Sequence, residues 1–160
     1  MSYEIIGETL KSAISIKLGQ LFDNPIRYKE NITNPQYPNF FINQISSNVT
    51  SLQTKVQSAF NNDLKRMRID YLFNIQYRVA SNLETITNLK QQLDTVGFKL
   101  ITKFTDIQLE KPVYTTNRRY EIVDGVLHFF FNITIYATDE QVNKTTMSDL
   151  DITVDLEEGE

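Results

Sequence analysis

Apolar side chains recur with a period of two in two long stretches of this chain. In Tyr120–Tyr136, YEIVDGVLHFFFNITIY, the residues Leu127, Phe129, Phe131, Ile133 and Ile135 alternate with Val126, His128, Phe130, Asn132, Thr134 and Tyr136. Successive side chains of a strand point to opposite faces, so the first set makes one wholly apolar face. Asp124-Gly125 breaks the run, and a two-residue type I′ turn needs positive φ at both central positions, which these residues tolerate. The stretch is therefore predicted to be a β-hairpin whose turn fixes the register. Burial of five such side chains contributes roughly 1.5–3 kcal/mol each before the cost of chain ordering, so the rest of the chain must cover that face. The second stretch, with Ile69, Tyr71, Phe73, Ile75, Tyr77 and Val79, predicts a central strand.

Helical spacing appears twice. Ile6, Leu10, Ile14, Leu18 and Phe22 repeat at i+4, with Ala13 and Leu21 beside them, which predicts a helix over about Tyr3 to Phe22. Asn24-Pro25 ends it, because proline disfavours α geometry in the residue before it, and an extended segment from Ile26 to Glu30 is expected next. Ser81-x-x-Glu84 fits a capping box, and Leu83, Ile86, Leu89 and Leu93 hold helical spacing up to Gly97, a residue suited to a left-handed C-cap. This predicts a second helix over about Asn82 to Val96, with residues 98–112 extended or irregular. Between the helices, Phe40, Phe41, Ile42, Ile45 and Val49 open a strand that decays into the polar stretch Ser46–Asn62, read as a protruding tip ended by the turn signal Asn61-Asn62-Asp63. The polar stretch and the acidic residues 149–160 at the C-terminal end are both expected to order only in an assembly, by adding to a neighbour's sheet. The element order suits a two-layer α+β domain: a mainly antiparallel sheet of four to five strands with both helices on one face.

Composition alters this picture at one place. A chain of 160 residues with 41% apolar side chains and 18 aromatics suits one aromatic-rich domain. No cysteine is present, which excludes disulfides and thiolate metal sites. The first residues lack a basic region followed by an apolar one, and no run approaches the ~18 apolar residues of a membrane span, so a soluble, unprocessed protein without membrane contact is expected. Charge, however, is uneven. Residues 149–160, DLDITVDLEEGE, carry six acids and no base; the remaining fourteen acids face all sixteen bases, so residues 1–148 balance at +2. The chain thus divides into a domain over 1–148 and an acidic extension over 149–160. The extension reads as a solvated, mobile end; alternatively Leu150, Ile152, Val154 and Leu156, alternating with polar residues, form a strand that pairs with an edge, of this or another subunit.

The residues that carry chemistry are few. His128 is the only histidine, and a base needs an orienting partner that its strand neighbours do not supply, so it reads as a packed or hydrogen-bonded side chain. The five glycines form no phosphate loop, and no nucleophile elbow or helical metalloprotease motif occurs. Neither catalytic, cofactor nor metal residues are assigned, and the sequence argues against an enzyme. Two basic clusters, Lys65, Arg66 and Arg68 at the start of the central strand and Arg118 and Arg119 at the start of the hairpin, would match phosphates, with Tyr71 and Tyr120 stacking on bases. A body of +2 is far from the surface of a nucleic-acid binder, so these groups read instead as solvated strand ends and, together with Asp149, Asp151 and Asp155, as candidate contacts to other subunits.

The hairpin motif also carries a resemblance. EIVDGVLHFFFNITIY, in which Asp124, Gly125, Val126, Leu127, His128, Phe129 and Phe130 are the matching core, resembles the C-terminal signature of the tail terminator or tail completion proteins of Gram-positive phages and of PBSX-type phage-like particles. The first helix, the PQYPNFFINQI segment, the RMRIDYLFNIQY strand and the SNLETITNLKQQL helix fall in the order of that family's elements, over roughly residues 3 to 137. The resemblance implies a structural virion protein, assembled in the host cytoplasm, that forms a ring, a hexamer by expectation, on the head-proximal end of the tail tube and stops its growth. It implies the tail tube protein as partner and, in contractile systems, the sheath and the neck proteins at the collar. A head-to-tail connector is the neighbouring reading; a small ligand-binding module using the tyrosine-bearing sheet face is one of another class.

Overall fold

The computed structural model of the chain describes residues 3–52, 64–82, 86–140 and 151–153. Two helices and seven strands follow in the order α1 (Tyr3–Leu21), β1 (Ile26–Tyr28), β2 (Asn39–Leu52), β3 (Leu64–Arg78), α2 (Leu89–Lys103), β4 (Asp106–Gln108), β5 (Pro112–Val123), β6 (Val126–Glu140) and β7 (Asp151–Thr153). The strands form one sheet in the order β1-β2-β3-β6-β5-β4. β7 pairs β6 through Tyr136–Thr138, on the side that β5 leaves after Thr115.

The two period-two stretches are neighbours at the centre of that sheet. β3 and β6 pair antiparallel from Leu64↔Glu140 to Tyr77↔Leu127, which sets Ile69, Tyr71, Phe73 and Ile75 opposite Ile135, Ile133, Phe131 and Phe129. All eight are buried. Their rings continue into one another: Phe73 stacks on Phe131 at 5.7 Å, and Phe104, just past α2, lies 5.0 Å from Phe131 and edge-on to Phe129 at 5.8 Å. Such pairs add ~0.5–1.5 kcal/mol each beyond the area they bury. The expected apolar face is thus the floor of the core, under Ile6, Leu10, Ala13, Ile14 and Leu18 of α1 and Leu93 and Leu100 of α2.

Local chemistry ends each element. After α1, Asp23 and Asn24 take left-handed φ of 60° and 54°, and the Asn24 N–H reaches back to the Gly19 carbonyl at 3.0 Å, closing the helix before Pro25. The hairpin turns at Asp124 (φ 51°) and Gly125 (φ 74°), with Val123 opposite Val126, as a type I′ turn requires. The C-terminus of α2 is closed by side chains of β5. The Thr115 hydroxyl donates to the Phe104 carbonyl at 2.6 Å, and Arg118 donates from Nε to the Ile101 carbonyl at 3.0 Å and from Nη1 to the Thr115 carbonyl at 2.9 Å. These bonds satisfy orphan carbonyls with a cation at the negative end of the helix.

Three expectations are corrected. The sheet has seven strands rather than four to five, and it is mixed, since β1 runs parallel to β2. The second helix runs from Leu89 to Lys103, not from Asn82 to Val96; Asn88 precedes it in a left-handed conformation, and Glu84 of the expected capping box lies outside the described residues. Gly97 is inside that helix. A Cβ there would come within 2.7 Å of the Tyr120 ring, so the glycine lets β5 approach α2 closely instead of ending it. Finally, residues 46–52 and 151–153 do not wait for an assembly to order: the first pair with β3 from Ser46↔Leu72 to Leu52↔Arg66, and the second pair with β6 through Tyr136–Thr138. The tip beyond, 53–63, lies outside the described residues.

Two stability measurements check this core. Phe129→Ala is expected to cost about 3–5 kcal/mol in chemical denaturation, and a loss under about 1 kcal/mol would place its face outside the core. Gly97→Ala is expected to cost about 1–3 kcal/mol by overpacking. In a double-mutant cycle with Tyr120→Leu that penalty should shrink, because the ring that meets the new methyl group is gone.

Candidate functional site

Both helices lie on one face of the sheet, so the alternate residues of β2, β3, β5 and β6 form a second face without a helical cover. Its side chains are the alternate residues of the period-two pattern, mostly polar: Arg68, Asp70, Leu72, Asn74, Gln76 and Arg78 on β3, and His128, Phe130, Asn132, Thr134 and Tyr136 on β6. Most are partly exposed, and Asn74 is buried.

These groups bond along and across the strands. Arg78 Nη2 donates to Gln76 Oε1 at 2.8 Å, Gln76 Nε2 donates to Asn74 Oδ1 at 3.1 Å, and Asn74 Nδ2 donates to the Phe129 carbonyl at 3.4 Å. Asn117 Nδ2 donates to Asn132 Oδ1 at 3.2 Å, and Asn132 Nδ2 to the Tyr71 carbonyl at 3.3 Å. Asp70 Oδ1 accepts from Thr134 Oγ1 at 2.7 Å and from Arg68 Nε at 3.2 Å. The arginines also use the rings: Arg119 lies 4.2 Å over Phe130, and Arg66 5.2 Å over Tyr136. On this face the amides bond one another and two guanidinium groups lie over aromatic rings; Arg and Tyr are residue types enriched at protein interfaces.

His128 stacks on Phe130, ring centroids 6.3 Å apart, and stands between Gln76 and Glu121 across its neighbouring strands. Among the described residues no cluster of three His, Cys, Asp or Glu could hold a metal ion, and no helix is long and apolar enough to cross a membrane. An open hollow of about 640 Å³ on α2, lined by Asn88, Lys90, Gln91, Asp94, Thr95 and Phe98, has no convergent catalytic groups.

The residues singled out in the sequence separate. Arg66, Arg68 and Arg119 reach the open face; Arg118 is turned inward to close α2, as described above. Tyr71 is 1% exposed in the core and Tyr120 lies against Gly97, so neither ring is placed to stack on a nucleic-acid base. Asp151 stands opposite Thr138 in the β6–β7 pair, whereas Asp149 and Asp155 lie outside the described residues, and of Lys65 the structure fixes only the pairing with Asp139. The amide ladder of Asn74, Gln76 and Asn132 was missed by sequence reasoning. Its signal was there: each is the polar alternate in a period-two run.

The phage tail terminator protein family has a model that matches residues 9–145 of this chain, a span from within α1 past the end of β6. The chain belongs to that family. Membership gives it a structural role in a phage tail and, with it, contacts to other tail proteins. Comparison with curated proteins finds none that matches the chain. Within this family fold, the seven residues of the hairpin motif serve different ends. Asp124 and Gly125 make the turn, Val126 pairs Val123 beside it, Leu127 and Phe129 enter the core, and His128 and Phe130 face outward on the open sheet.

At the rim of the sheet, Lys90 Nζ donates to Asp94 Oδ2 at 2.8 Å, and the Tyr120 hydroxyl donates to Asp94 Oδ1 at 3.2 Å. The Lys90 hydrogen bond holds the Asp94 carboxyl below its usual range, and Asp94 in turn raises Lys90. Burial pushes the Tyr120 phenol up, with Asp94 adding to it. A raised phenol contributes stability that is intact below about pH 10 and is lost as pH rises through the folded-state value; the lowered carboxyl contributes stability present above about pH 4 and lost in acid. Asp94→Asn is expected to move the Tyr120 titration, followed by NMR of ring-labelled tyrosine, down toward the ordinary value. An unchanged titration would remove Asp94 from that environment. His128→Gln is expected to leave fold and assembly intact at neutral pH, since the ring serves packing; assembly lost with the fold retained would assign it a switching role.

Proposed function

We propose that this chain closes into a ring, a hexamer by the family resemblance, at the head-proximal end of the tail of a Gram-positive phage or PBSX-type particle. There it ends polymerisation of the tail tube and presents the surface for neck and head attachment. The observation that carries this reading is the tail terminator family match across nearly the whole folded domain. The fold supports it. A closed cyclic ring uses heterologous interfaces, so each subunit must offer two unlike patches, and this domain has one face of helices and one open face of amides, arginines and aromatics. Its two sheet edges differ as well, β1 and β2 on one side and β4, β5 and β7 on the other.

In this reading the tube end meets one rim of the ring, and the opposite rim carries no further tube-like site, so growth stops where the ring binds. Arg66, Arg68 and Arg119, with Lys65 and the acidic Asp149, Asp151 and Asp155, are the proposed contacts between subunits or to the tail tube protein; in a contractile tail the sheath and the neck proteins of the collar are further partners. The protein assembles in the host cytoplasm and resides in the finished tail.

Electron microscopy of particles made without the protein tests this. Tails of uncontrolled length, restored to uniform length with a thin ring of about six copies when the protein is supplied, are expected. Tails of normal length that fail only to join heads would make it a connector instead. Particles of normal morphology would remove the structural role.

A further inference from the structure

The two long edges of the sheet are treated differently by the sequence. β2 is paired by β1 only through Asn39–Phe41, so from Ile42 to Leu52 its outer edge has no strand beside it among the described residues. This stretch, INQISSNVTSL, contains no charge, proline or glycine. On the other side of the sheet, β5 beyond its short pairing with β4 carries Arg118, Arg119 and Glu121 and a bulge between Thr116 and Arg119 with Asn117 at φ 53°. Charges and bulges are how proteins prevent unwanted strand addition at an edge. One edge is guarded and the other, eleven residues long, is open, with Ile45 47% and Val49 41% exposed along it.

We propose that the β2 edge takes an added strand, and that the strand is the acidic C-terminal segment of a second copy of this chain. Two observations select that occupant. The segment alternates Leu150, Ile152, Val154 and Leu156 with Asp149, Asp151 and Asp155, and it forms a strand here with Ile152 opposite the buried Ala137 and Asp151 opposite Thr138. This register puts Ile152 in the row of Ala137 and Asp151 in the alternate row; the same alternation, carried along the segment on an added strand, would give one apolar row and one acidic row. Along β2, Val49 pairs the buried Ile69 and so lies on the core side, while Thr50 and Leu52 pair Arg68 and Arg66, whose guanidinium groups are on the open side one strand away. A tail added to β2 in the orientation it has on β6 sets its apolar residues beside Val49 and its carboxylates toward those two arginines.

Among the described residues the tail pairs its own β6 through Asp151–Thr153; on β2 it meets an edge long enough for the whole alternation. Transfer from the first to the second as copies come together makes each subunit both donor and acceptor, a one-way contact that a ring closes. The proposal rests on the ring reading in that respect.

The chain has no cysteine, so disulfide trapping is direct. Two full-length single-cysteine variants, V49C and either I152C or V154C, are mixed at concentrations where oligomers form, then oxidised. A disulfide between the two variants can only be intermolecular, and it is the expected result. Native mass spectrometry of the same samples gives the oligomer size. Arg66→Glu with Arg68→Glu is expected to lower the yield about tenfold, and adding Asp151→Lys with Asp155→Lys to the tail variant to restore it. A ring without the V49C link to either tail position overturns the proposal and leaves the ring standing. A V49C–V49C link overturns the occupant, the edge then pairing with itself. A monomer at every concentration, unlinked, overturns both the proposal and the ring.

Discussion

The antiparallel pairing of β3 with β6 is the constraint on which the structure depends. It sets four large apolar side chains of one strand against four of the other, row by row, from Ile69 beside Ile135 to Ile75 beside Phe129. A shift of one residue in either strand would turn its whole apolar set to the open face. The type I′ turn at Asp124-Gly125 places β6 against β5, and β5 in turn places α2. The order of causes runs from turn to register to core.

The cover is held by fewer bonds than the floor. α1 is tied to the far edge of the sheet by the Lys17–Asp106 ion pair at 3.0 Å. α2 is held by the Tyr120 ring lying in the space Gly97 leaves and by Arg118 and Thr115 at its C-terminal carbonyls. The same β5 strand therefore presents Arg118 to the helix and Arg119 to the open face, one residue apart. Neighbouring arginines of identical appearance in the sequence have opposite tasks.

What could be read in advance follows from this hierarchy. Long period-two runs reveal their faces, so the hairpin, β3 and the buried set were legible, and the hairpin motif carried the family. Of the three-residue strands, β1 falls in the segment expected to be extended and β7 in the alternation of Leu150, Ile152, Val154 and Leu156, whereas β4 falls in the stretch 98–112, whose apolar residues fit no single period. The boundaries of α2 were misplaced because Gly97 reads as a stop, and only the Tyr120 ring, distant in sequence, shows that it is a point of close approach. The open face was legible as alternation but not as a surface, because which amide bonds which depends on the strand order β3-β6-β5, and no local pattern states it.

That strand order has a consequence for synthesis. β6 lies between β3 and β5, so the central pair joins Leu64 to Glu140 across most of the intervening chain. While a ribosome is still making the first 125 residues, β3 has no partner on one side and the aromatic floor of the core is half built. Non-local pairing of this kind is slow to form and leaves apolar surface open until it does. The central sheet can therefore close only once β6 has emerged, so the aromatic floor of the core stays open until residues 126–140 have been made.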